Sequence, residues 1–172
     1  VPASGRSLFF RPGQVAADIA RGAGGALVAI ALCQGMLWLT CRVIVMFSPE
    51  YVFPEHGVIE ALRDTERPAW LPLTLWVGVA GITPVAEELF FRGLLLTALQ
   101  RALRSRWSAV LGAAVLFGMA HSSQPQVVPA LALFGVILGI LYIRTGALAA
   151  PIVAHALFNA KTLLWEALRT VQ

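Results

Sequence analysis

The chain has 172 residues, of which 58% are hydrophobic and 13% charged, with a mean hydropathy of +0.76. A soluble domain of this size carries about 25% charged residues, so the bilayer is the expected solvent for most of the sequence. The formal charge of +4 comes almost wholly from arginine, Lys161 being the one lysine. These arginines fall between apolar runs and do not interleave with aromatics, which argues for topology signals and excludes a nucleic-acid surface.

In chain order, Arg6, Arg11, Asp18 and Arg21 precede the first long apolar run. That pattern is unlike a cleavable signal peptide, and the run is expected to stay in the membrane. It covers residues 24–47, long enough for the roughly 20 residues of a bilayer crossing, with Arg42 late enough to snorkel to an interface. Cys33 and Cys41 share it, roughly 12 Å apart along a helix axis, too far to pair with each other, so free apolar thiols are expected. Residues 48–69 form an acidic connection with Glu50, Glu55, Glu60, Asp64 and Glu66 against Arg63 and Arg67, which reads as an exterior loop with a short amphipathic helix; His56 reads as a solvated residue within it.

From Trp70 the chain is apolar to Leu99, interrupted by Pro84, whose missing N–H should kink or divide a helix. A basic turn with Arg101, Arg104 and Arg106 follows, then a helix over 108–121, a polar break over 122–126, and two further spans over 127–143 and 148–168, joined by Arg144, Thr145 and Gly146. There is no internal repeat and no low-complexity segment. The expected fold is all-α, a polytopic transmembrane bundle of about five to six membrane helices with a kink at Pro84. Residues 1–69 form an arm, first span and acidic loop, and residues 70–172 a helical core.

An ionisable residue inside a span costs about 2.5–3.5 kcal/mol on insertion scales, so each one is a candidate for function. Four places stand out: Glu87-Glu88 with Arg92, then His121, then His155, then Asn159, the one asparagine of the chain. Taken singly, each also has a structural reading: a paired carboxylate, a core histidine bonded to a carbonyl, an amide tying two helices. Spacing separates them. Glu88 and Arg92 stand four residues apart in the favourable acid-then-base order and read as an ion pair. Glu87, turned about 100° away on the helix, has no such partner and is the better candidate for chemistry. His155 and Asn159 repeat the four-residue spacing and project together, two donors of the kind a tetrahedral oxyanion needs. A carboxylate with His121 near it would polarise a water as general base.

Three phrases carry a resemblance: Glu87-Glu88-Leu89-Phe90-Phe91-Arg92, preceded by Pro84 and followed by Gly93; Phe117-Gly118-Met119-Ala120-His121; and His155-Ala156-Leu157-Phe158-Asn159. In this order on three apolar helices they resemble the CPBP intramembrane proteases, which include the CAAX prenyl-protein endopeptidases and the bacterial Abi or bacteriocin-processing relatives. The likeness covers about residues 70–165 and rests on ordered motifs in the right context. It implies that Glu87 and His121 activate the attacking water, that His155 and Asn159 hold the oxyanion, and that Glu88 and Arg92 orient the site.

The implied protein is an integral protein of a bacterial cytoplasmic membrane whose partners are the lipid bilayer and a membrane-associated protein or peptide substrate, such as one carrying a terminal sorting signal. Two glutamates and two histidines are able to ligate zinc, but there is no helical His-Glu-x-x-His pair and asparagine is a poor zinc ligand. A metal-free mechanism without a cofactor is therefore expected. Two other readings use the same residues: a membrane binding or immunity protein that sequesters a peptide uncut, and a small proton relay or transporter, which the absence of a repeat disfavours.

Overall fold

The computed structural model describes Phe9 and residues 13–55, 57–64 and 66–169; Arg6, Arg11 and His56 lie outside them. Six helices follow in order: α1 (Val15–Phe47), α2 (Gly57–Arg63), α3 (Leu71–Leu103), α4 (Arg106–Met119), α5 (Val128–Thr145) and α6 (Ala149–Arg169). No strand occurs among the described residues. The helix α1, the helix α3, and α5 with the short turn that precedes it are long and apolar enough to cross a membrane. The shorter α4 and the more polar α6 pack among them, and α2 is the short helix of the acidic loop.

Of the two outcomes expected at Pro84, division does not occur. In a regular α-helix the proline ring meets the carbonyl four residues back and leaves one acceptor without a donor. Here the backbone widens into i→i+5 turns over Val77–Ile82, ahead of the proline, and again over Leu89–Leu96, beyond it. Such widened turns are local devices that recur at functional sites. The helix thus runs unbroken from the acidic loop to the basic turn, with Glu87 and Glu88 near its middle.

Close backbone approach holds α4 to α5 and α1 to α6. A Cβ on Gly135 of α5 would lie 2.8 Å from Ala114 Cα, and one on Gly22 of α1 would lie 2.6 Å from the Ala150 carbonyl oxygen. With no hydrophobic drive between helices in lipid, small residues of this kind let dispersion contacts do the joining. Phe91, Phe117, Phe134, Leu138 and Ala154 fill the centre. Leu73, Val77, Ile82, Phe90 and Leu94 of α3 point outward, as a lipid-facing surface requires.

The same contacts fix direction. Gly22 meets Ala150 and Lys161 reaches Gln34, so α1 and α6 run parallel; Gly135 meets Ala114 and Gly139 meets Val110, so α4 and α5 run antiparallel. Arg21, the Arg101–Arg106 turn and Arg144 therefore gather at one end of the bundle. The acidic loop gathers at the other, pinned by Gln126 Nε2 donating to the Pro54 carbonyl at 2.7 Å and by Arg63 bridging Glu55 and Glu166 at 2.6 and 2.8 Å. Those two carboxylates, Glu166 before Glu55, push the Arg63 guanidinium further above its already high range.

The positive-inside rule predicts that the basic end faces the cytoplasm. In a chain freed of Cys33 and Cys41, a cysteine at position 104 is expected to react with a membrane-impermeant maleimide only after the membrane is opened, and one at position 58 in intact cells. The reverse pattern would invert the orientation.

Candidate active site

Glu88 is the hub of a buried polar cluster and has no exposed surface (0%). Arg92 Nη1, one turn on along α3, donates to Glu88 Oε1 at 2.8 Å, and Nη2 donates to the Gly135 carbonyl at 3.1 Å. Its guanidinium carbon lies 4.8 Å from the centre of the Phe117 ring. The ion pair read from the spacing is therefore present, and a second guanidinium nitrogen and the flat face also have partners.

His155, on α6, brings the second donor to the same oxygen: Nδ1 lies 2.8 Å from Glu88 Oε1. A carboxylate oxygen accepts, so Nδ1 carries the hydrogen and the other ring nitrogen is fixed in direction. That nitrogen, Nε2, faces Glu87 Oε2 at 3.8 Å. The imidazole is edge-on to Phe134 and Phe117, with ring centres 5.3 and 5.8 Å away. Glu87, without a partner in its own helix, finds one across the bundle. Its side chain is 26% exposed, yet its Oε2, like Glu88 Oε2, is buried with no hydrogen-bond partner within the chain. Buried carboxylate oxygens left in this way are costly.

His121 follows the end of α4. Its Nδ1 lies 3.0 Å from the Phe117 carbonyl, which can only accept, so Nδ1 donates and Nε2 retains its lone pair. It makes no ion pair with Glu87 or Glu88; the aromatic ring of Phe117 stands beside both histidines, 5.3 Å from His121 and 5.8 Å from His155. Asn159 departs from the expected convergence in a different way, for its Nδ2 donates to the Val79 carbonyl at 2.9 Å, in the widened turn of α3. The structure thus brings Glu87, Glu88, Arg92 and His155 into one contact network, sets His121 alongside it, and ties Asn159 to the backbone of the same helix that carries the glutamates.

Sequence reasoning gave no role to four participants: the aromatic walls Phe117, quoted only within a motif, and Phe134, the Gly135 carbonyl and the Val79 carbonyl. Gly135 had a signal, its four-residue spacing from Gly139, which marks a close helix contact. Among the described residues no three His, Cys, Asp or Glu side chains converge as a metal-holding set.

A membrane-embedded helical bundle enclosing a carboxylate–imidazole–carboxylate cluster is the class that fold and site together define. The family model of the type II CAAX prenyl endopeptidase Rce1-like proteins matches residues 68–161, more than half of the chain, and the chain belongs to that family. Its broad class is thereby that of the CAAX-type membrane proteases. No curated protein and no solved structure matches.

Proposed function

We propose that this protein is an intramembrane endopeptidase that cleaves a membrane-associated protein or peptide, trimming a terminal processing or sorting signal, in a bacterial cytoplasmic membrane. The observation that carries the reading is the 3.8 Å approach of Glu87 Oε2 to His155 Nε2, with the imidazole anchored from behind by Glu88. An unpartnered carboxylate oxygen beside an oriented imidazole, in an apolar cage, is an arrangement suited to activating water.

In this reading a water between Glu87 and His121 attacks the scissile carbonyl carbon. Its proton passes to Glu87 as the new C–O bond forms, and the carbonyl oxygen becomes the oxyanion. The amide hydrogen of Asn159 that Val79 does not use stabilises that oxygen, and His155 joins it once its Nε2 has taken up the proton from Glu87, which it faces at 3.8 Å. The C–N bond then breaks, and the proton goes to the departing amine. Glu88 and Arg92 hold His155 in its tautomer and touch no reacting atom. No step needs a metal or a cofactor.

The test compares the N- and C-terminal peptides of membrane and secreted proteins, by mass spectrometry, between cells carrying the native chain and cells carrying Glu87→Gln at equal abundance. Defined precursors are expected to persist uncut in the variant, and processing in isolated native membranes is expected to survive chelation. Identical profiles, with a native phenotype retained, would replace the peptidase by a membrane binding or immunity protein. Loss on chelation with rescue by zinc would overturn the metal-free mechanism.

A further inference from the structure

The i→i+5 bonds ahead of Pro84 end with Thr83 N–H donating to the Gly78 carbonyl. The next acceptor in that series is Val79, and the residue that should donate to it is Pro84, which has no N–H. A carbonyl left in this position within a bilayer has no water to turn to. Asn159 Nδ2, from α6, occupies the place of the missing donor at 2.9 Å. Three residues beyond Pro84 stands Glu87, and one further Glu88.

We propose that Asn159 is a positioning residue: its amide replaces the donor that Pro84 lacks, locks the widened turn of α3, and through that turn sets the azimuth at which Glu87 meets His155. The physical logic is one of register. A widened turn adds a residue to the helical circuit and rotates everything after it relative to a regular helix. The rotation persists only if the carbonyl it strands is satisfied. His155 and Asn159 are four residues apart on one face of α6, so the same helix that receives Glu87 also fixes the turn that aims it. This role rests on the proposed peptidase reading and adds to the oxyanion duty of the second amide hydrogen.

The test crosses Asn159→Leu with Pro84→Ala, since alanine restores an N–H at position 84. Two readouts are taken: the melting temperature in detergent, and the processing of the precursors that Glu87→Gln leaves uncut. In the native background Asn159→Leu is expected to lower the melting temperature by roughly 3 °C and to slow processing. In the Pro84→Ala background the melting loss is expected to shrink to less than half, and processing to recover by about tenfold over Asn159→Leu alone.

An equal melting loss in both backgrounds overturns the bond substitution. Suppressed melting loss without any recovery of processing overturns the positioning role. A native chain that processes nothing sinks the peptidase reading instead, and the melting cycle still decides whether Asn159 stands in for Pro84.

Discussion

Arg92→Leu is expected to destabilise the folded chain by about 3–5 kcal/mol, the usual cost of removing one partner from a buried pair, and to lower its melting temperature in detergent by about 10 °C. Glu88 and Arg92 are 0% and 2% exposed, and the guanidinium serves Glu88 and the Gly135 carbonyl at once. Its loss leaves the Glu88 carboxylate without its cation in a place that water does not reach. The double variant Glu88→Leu with Arg92→Leu should recover much of the loss, because no charge is then left uncompensated. Thermal denaturation of the three chains decides the matter: a native-like midpoint for Arg92→Leu would show that the pair is dispensable to the fold.

His155→Gln is expected to lower the rate of processing by about 10²–10⁴, with a stability loss well below that of Arg92→Leu. The imidazole reaches both glutamates, Glu88 through Nδ1 and Glu87 through Nε2. Glutamine keeps a donor for Glu88 but offers no ring nitrogen toward Glu87. The measurement is the rate at which purified precursor, found uncut in the Glu87→Gln cells, is cleaved in isolated membranes. A rate within roughly threefold of native would remove His155 from the chemistry.

The helices were legible because each apolar run is bounded by arginines, a proline or a polar break. The helices expected over 24–47, 108–121, 127–143 and 148–168 correspond to α1, α4, α5 and α6, the start of α1 moved most. Helix α1 begins earlier than its apolar core, at Val15, because Asp18 is buried and paired with Arg21 at 2.9 Å in its first turns. The acidic loop holds the short helix expected of it.

At the site, what lay within one helix could be read and what lay between helices could not. The Glu88–Arg92 pair follows from a spacing of four. That Glu88 also receives His155, 67 residues away in sequence, depends on the relative rotation of α3 and α6, which no spacing on either helix encodes. The same gap explains Asn159. Its spacing from His155 places both on one face, but the widened turn decides that a backbone carbonyl, Val79, stands opposite it. Pro84 announced an interruption, and only the packed structure shows it spent as a change of helical register.

The placement of the charges also bears on how the chain enters the membrane during synthesis. Glu88 and Arg92 are one helical turn apart, so α3 can partition into lipid with those two charges already neutralised against each other, before any later helix exists. His155 emerges 67 residues after Glu88, on the last of the six helices. The cluster is therefore incomplete until α6 has been inserted beside α3.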